Sequence, residues 1–558
     1  ADVAALAVEL VATGLATLNR YNHLTLNPAL CPYLRGRMDA AEREALTARW
    51  VEAMCAYAEF LRQQQHQNAE LAATLTGLEL PNLFALLDLA RRAGEAEVTI
   101  ALATALYSLL QNAGKPRLLE RVGQARDAAA AALGDVWNHA RFQAARTRIE
   151  QQLAGGKLRE AFDGAQALLQ RTRAAGEQAY PEADYDLAMA FHLLGQVLKA
   201  ADESEPALPL LDEARQRFEA VAQARATEAA ARMAAKCFVE RGDCLRALGR
   251  LDDAAADYEE AIRRAEQQGD DRTVAVSKGQ LGTVRLQQGR YPEALKAYEE
   301  GRAYFTALNE PGSVATAWHQ TGMVYQTAGQ PEEAEDAYRE SLKISVRHND
   351  VAGQANTLAQ LGMLYDHALG RMEESVTFLQ QAVDKYVEIG DVAGEGRNRN
   401  NLAIRLGKLH RLDEARREIG RAIACIAPLG HAELWKAWAV LADIETDAGN
   451  PAAAAEARAK AIACYLSYRR DGGENHSDSG RIAFAVTQIL AAGNPTEAAT
   501  LLQQLAADPD FALHRSFFQA LQAIVAGRRD RTLADAPDLH PMMAAEILFL
   551  IETLEQRR

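Results

Sequence analysis

Catalysis by side chains needs a nucleophile with a base beside it, or metal ligands at workable spacing. The 558-residue chain offers few such sets. Cys237 and Cys244 stand seven residues apart, about two helical turns, with Asp243 between them. They could make a ligand or redox pair. At helical spacing they read instead as core, where a free cysteine behaves as a small hydrophobe. The six cysteines (Cys31, Cys55, Cys237, Cys244, Cys425 and Cys464) form no CxxC and no disulfide framework. Thiols scattered in this way are expected to be reduced, in a cytoplasmic protein. Twelve histidines run from His23 to His540 without HExxH or a Cys/His cluster at zinc spacing. Gly155-Gly156-Lys157-Leu158 has the glycine and lysine of a phosphate loop but neither its spacing nor its hydroxyl, and reads as a turn. The expectation is a protein that is no enzyme and holds no metal and no cofactor. The alternative is an enzyme-regulating or catalytic helical-repeat protein whose site is assembled across distant helices.

The elements that would position any site come from a repeat. Gly242, Gly282, Gly322 and Gly362 follow one another at intervals of 40 residues. A second glycine comes seven positions later at Gly249, Gly289 and Gly329, and eight later at Gly370. Asp253-Ala254, Glu293-Ala294, Glu333-Ala334 and Glu374-Ser375 keep step, as do Tyr258, Tyr298, Tyr338 and Leu379. Further cycles run through Leu402-Ala403 and Asp413-Glu414-Ala415, then through Leu441-Ala442 and Ala454. Apolar residues at helical spacing on both sides of turns such as Gly289-Arg290-Tyr291-Pro292 predict two helices per cycle. Gly282 and Ala294 would let the two helices approach, with Tyr298 filling space toward the next hairpin. Trp318 and Trp438, four residues before Gly322 and Ala442, read as core.

This pattern resembles the tetratricopeptide repeat family, in the kinesin-light-chain and LGN-like branch, with longer connections than the usual period of 34. The match is close from about 226 to 465 and looser at Leu194-Gly195 and Gly156-Lys157-Leu158. The resemblance implies an all-α, right-handed superhelical solenoid of antiparallel helix hairpins. It also implies that fixed positions of each first helix face a concave groove. Those positions fall on Lys236 and Arg246, on Thr283 and Gln287, and on Thr316, His319 and Gln326. They continue at Asn356, Asp366 and His367, then at Arg397, Asn400 and Lys408. Amides there could bond the backbone of an extended peptide, and Arg or Lys could pair with its carboxylates. The expected partner is a protein or peptide in this groove.

Residues 1–135 read as helical without the cycle, 136–225 as degenerate repeats and 226–468 as regular repeats. Residues 469–480, rich in Gly, Ser and charge, read as a mobile linker before a helical cap, 481–558. Near the start, 22–35 reads as a loop with two prolines, followed by a helix through Trp50 to about Gln67, and Leu78-Glu79-Leu80-Pro81 as the opening of another. These segments resemble sequences that follow the nucleotide-binding part of bacterial STAND signalling ATPases, whose downstream repeats act as the sensor. The resemblance implies an ATPase module in the same full-length chain, although no G-x-x-x-x-G-K-[ST] is present here. A start without Met reads as a piece of a longer chain, and Ala1–Leu6 lacks the basic region of a signal peptide. With 61 Lys+Arg against 76 Asp+Glu, the net charge of −15 argues against nucleic acid and anionic membranes as partners. No apolar run is long enough to span a bilayer.

Overall fold

The computed structural model describes residues 3–19, 23–67, 69–111, 115–507, 514–536 and 538–556. Among these are 26 α-helices and a single two-stranded hairpin, in two compact units, Ala1–Gln288 and Gly289–Arg558. The first unit runs through α1 (Val3–Ala12), β1 (Ala16–Leu18), β2 (Leu24–Leu26), α2 (Leu30–Arg37), α3 (Ala40–Gln67), α4 (Ala69–Ala93), α5 (Ala96–Leu110), α6 (Pro116–Ala132) and α7 (His139–Ala154). It continues with α8 (Leu158–Ala175), α9 (Ala183–Ala200), α10 (Ser204–Arg225), α11 (Glu228–Ala247), α12 (Leu251–Gln267) and α13 (Asp271–Gln287). The second unit holds α14 (Tyr291–Ala307), α15 (Pro311–Thr327), α16 (Pro331–Arg347), α17 (Val351–His367), α18 (Met372–Ile389), α19 (Val392–Lys408) and α20 (Leu412–Ile426). After these come α21 (His431–Asp447), α22 (Pro451–Arg470), α23 (Asp478–Ala491), α24 (Pro495–Ala506), α25 (Arg515–Val525) and α26 (Pro541–Gln556). The fold is an all-α solenoid of antiparallel helix hairpins, in which successive pairs such as α11/α12, α15/α16 and α17/α18 pack as repeats.

The repeated glycines explain how closely each pair packs. A Cβ on Gly242 would come within 2.8 Å of the Tyr258 ring, and one on Gly322 within 2.6 Å of the Tyr338 ring. On Gly362 it would meet Leu379 at 2.7 Å. The repeat tyrosine thus lies on the glycine of its own hairpin, and not only toward the next one as expected. Tyr338 does both, since it also joins a cluster with Leu361, Leu364 and Tyr365 of the following pair. Between the paired helices, Gly249 and Gly329 take φ of 74° and 73°, a left-handed conformation that side chains resist. Cys237 and Cys244 are fully buried, and burial pushes the Cys237 thiol far above its ordinary value. Trp318 and Trp438 are half-buried, the first covered by the Arg302 guanidinium 3.7 Å from its ring centre.

Three local expectations need correction. Within 22–35, where a loop was expected, Leu24–Leu26 pairs antiparallel with Ala16–Leu18 and Leu30–Arg37 is helical; Asn22 lies outside the described residues. Helix α4 does not open at Leu78 but runs through Pro81 from Ala69. The connection between α22 and α23 is only 471–477, and it is anchored. Tyr468 Oη donates to the Glu474 carbonyl at 3.0 Å, and Asn475 Nδ2 donates to Glu546 Oε1 of α26 at 2.8 Å.

Candidate functional site

In the second unit, the first helices of three successive hairpins, α15, α17 and α19, line a pocket of about 530 Å3. Helix α15 contributes Thr316, His319, Gln320 and Gln326. Helix α17 adds Asn356, Gln360 and Met363, and α19 adds Arg397, Asn398 and Asn401. Residues of the second helices, Ser341, Ser345 and Tyr386, close the floor. Asp350 and Asp391 fix where α17 and α19 begin, each carboxylate accepting a backbone N–H three residues on, from Gly353 and Gly394, at 2.9 Å.

Hydrogen bonds within the wall set which atoms are free. Tyr338 Oη donates to Gln326 Oε1 at 2.8 Å, and Tyr386 Oη donates to Asn356 Oδ1 at 2.7 Å. Each amide therefore spends its oxygen on a tyrosine and keeps its NH2 available to an acceptor. His319 Nδ1 lies 3.1 Å from Thr357 Oγ1, which lies 3.3 Å from Ser341 Oγ, while the buried Ser345 Oγ has no partner among the described residues. Burial lowers the His319 imidazole to about 4, so it is neutral near pH 7. Positive charge in the pocket comes from the exposed Arg397, and the Asp350 carboxylate is engaged at its helix cap. The lining is rich in amides and hydroxyls around one guanidinium, so it can accept a carboxylate and bond a peptide backbone.

The structure brings Thr316, His319, Gln326, Asn356 and Arg397 together in this pocket. Asp366, His367 and Lys408 gather elsewhere in the same unit, around Arg405. Asp366 Oδ2 lies 2.8 Å from Arg405 Nη2 and 3.7 Å from Lys408 Nζ, and His367 Nε2 is 3.0 Å from Arg405 Nη2. Asp366 and Arg405 are 4% and 3% exposed, so this is an inward ion pair with His367 and Lys408 at its edge. Asn400 does not line the pocket; its neighbour Asn401 does. Lys236, Arg246, Thr283 and Gln287 belong to the first unit and line no part of it. There Lys236 lies 3.7 Å from Glu240, Arg246 stands by the Tyr258 hydroxyl, Thr283 bonds the Gly279 carbonyl, and Gln287 is exposed.

Sequence reasoning passed over Gln320, Gln360 and Asn401, although a signal was present. Gln280-Leu281-Gly282, Gln320-Thr321-Gly322, Gln360-Leu361-Gly362 and Asn401-Leu402-Ala403 repeat an amide two places before the small residue. Packing does not require that amide.

Two histidine–carboxylate pairs of the first unit join neighbouring helices. His139 Nδ1 lies 2.9 Å from Asp186 Oδ2, which also accepts from Tyr180 Oη at 3.0 Å, but Asp186 is fully buried. His192 and Glu240, 2.8 Å apart, are 2% and 6% exposed. Burial raises the Glu240 carboxyl, yet the charges of His192, Lys236 and Lys199 outweigh it and hold the group at about 2. Neither pair lines the pocket between α15, α17 and α19. Among the described residues there is no cluster of three or more His, Cys, Asp or Glu that could hold a metal, and no helix long and apolar enough to cross a membrane.

The chain carries tetratricopeptide repeats: one such family model matches residues 233–307 and 273–345, and a second matches 355–384. No curated protein matches it. Among solved structures, BtubC (BKLC) from P. vanneervenii is 20% identical, covering 43% of this chain and 92% of its own, with a TM-score of 0.36. The apo quorum sensor NprR from B. thuringiensis is 13% identical, covering 66% and 99%, with a TM-score of 0.42. A Rap protein complexed with competence and sporulation factor is 13% identical, covering 63% and 98%, with a TM-score of 0.40. These TM-scores, none above 0.42, are too low to carry function across.

Proposed function

We propose that this chain is a non-catalytic recognition protein that holds an extended peptide, or an extended segment of a protein, in the pocket lined by α15, α17 and α19. The observation that carries this reading is the lining itself. Amide NH2 groups of Gln326 and Asn356 are left free by tyrosine bonds, beside a single guanidinium, Arg397, and a neutral His319. The amides hold backbone carbonyls, and Arg397 takes an acidic side chain or a terminal carboxylate. The walls are helices fixed by packing, so little of the site has to be ordered on binding.

The test is selection from a displayed library of random heptapeptides with the full chain, followed by titration of the selected peptide. Arg397→Ala and Asn356→Ala, shown to melt like the parent, should each weaken binding by about 1–3 kcal/mol. Unchanged affinity in both variants places recognition on another surface.

Within this reading, the chain is the ligand-sensing part of a bacterial STAND-type signalling protein working in the cytoplasm. The support is the resemblance of the segments around 22–35 and 78–87. The complete reading frame decides it: an upstream G-x-x-x-x-G-K-[ST] supports the sensor role, and a frame without one removes it.

A further inference from the structure

A second cavity, of about 510 Å3, lies at the other end of the same unit, between the 471–477 connection, α23 and α26. Its apolar side is Phe484, Ala483, Phe549 and Leu550. Phe484 is 59% exposed, so its ring is accessible from the cavity side. The glycines of the connection serve this wall. A Cβ on Gly473 would run into the Tyr468 ring, and one on Gly480 into Asn475. Composition that suggests mobility instead allows a close-fitted loop.

At the base sits Glu546, a carboxylate only 1% exposed. Its Oε1 accepts from Tyr465 Oη at 3.1 Å and Asn475 Nδ2 at 2.8 Å, and lies 3.0 Å from Arg469 Nε. Its Oε2 has no donor among the described residues. Glu546 lines the cavity, and a carboxylate oxygen that faces a cavity without a donor can accept one from a ligand. The charge itself is already met by Arg469, whose guanidinium also stacks on Phe549 at 4.8 Å. An ionised ligand head would unbalance this pair; a neutral donor would complete it.

We propose that this cavity binds a small neutral amphipathic molecule, its ring or short apolar chain against Phe484 and Phe549 and its hydroxyl or amide N–H donating to Glu546 Oε2. The site is separate from the peptide pocket, and neither depends on the other.

Three probes share one body and differ in the head: 2-phenylethanol, 2-phenylethylammonium and phenylacetate. Saturation-transfer NMR on the full chain should show saturable binding of the alcohol at roughly millimolar concentration, as a nine-heavy-atom ligand allows. The two ions should bind at least about tenfold more weakly. Phe484→Ala, an exposed position that should not disturb folding, should weaken the alcohol about fivefold or more, while Arg397→Ala leaves it unchanged. No saturable alcohol binding, preference for either ion, or indifference to Phe484→Ala would overturn the proposal.

Discussion

Two histidines show how neighbouring groups decide the sign of a pH effect. His319 is lowered by burial to about 4, so the folded chain resists the proton that the unfolded chain takes up near 6.5. Its contribution to stability therefore falls as pH drops from about 6.5 toward 4. His139 is raised, first by its hydrogen bond to Asp186, then against burial by the Asp186 and Glu182 charges, with Arg146 opposing. That contribution is full below the unfolded value and is lost as pH climbs through the elevated folded one. Relative to the parent, His319→Gln should then gain in melting temperature between pH 8 and pH 5, and His139→Gln should lose. Melts of the three proteins at both pH values check this, and parallel shifts in the two variants would contradict it. Peptide affinity should stay level from pH 8 to pH 6, because the pocket's imidazole does not titrate there.

At the scale of the element, close contact and buried charge set the costs. Leucine at Gly242 or Gly322 would drive its side chain into Tyr258 or Tyr338, with a loss of roughly 1–3 kcal/mol or more from overpacking. Chemical denaturation of Gly242→Leu and Gly322→Leu reads this directly. Arg405 poses the opposite problem. Arg405→Met strands the Asp366 carboxylate inside the fold and should cost about 3–5 kcal/mol, cushioned by Lys408 at 3.7 Å. Replacing both, as Asp366→Leu with Arg405→Met, should cost less than the single change, and the same melts would show a reversed order if the pair were a net stabiliser. The repeat was legible because such contacts recur: only glycine fits under the tyrosine, so the spacing of glycines records the hairpins. Strands β1 and β2 were not legible, since three residues each give no period to detect. Pro81 misled for a physical reason. Proline suits a helix's first turn, and inside one it costs about 3 kcal/mol or more. Here Leu83, Leu86 and Leu87 beyond it are buried in the same cluster that Leu75 and Leu80 join, and burial at about 1.5–3 kcal/mol per side chain outweighs the break.

Over the whole molecule, charge and local chemistry pull in different directions. The chain carries −15, while the pocket presents Arg397. An acidic peptide is repelled at long range and held at short range, and salt screens both beyond about 8 Å at physiological strength. Raising NaCl from about 50 to 300 mM should speed its association and, as the ion pair weakens, also speed its release. Stopped-flow traces at several salt concentrations separate the two rates; slower association in salt would mean that the field at the pocket is positive. The site was half legible for a related reason. A helical position turns by about 100° per residue, so the frame implied by the family resemblance puts Thr316, His319, Gln326, Asn356 and Arg397 on the pocket lining yet misses Asn401 by one place.

Gln320, Gln360 and Asn401 supply nearly the same group at each step of the stack. A backbone offers the same carbonyls at every residue, so such a column cannot tell one alignment of a guest from the next. Slid along by one hairpin, the guest would meet equivalent bonds. Arg397 occurs at one step only, where α15 and α17 carry Thr316 and Asn356 in the matching place. The column supplies grip without address, and the arginine marks the position from which the guest is counted.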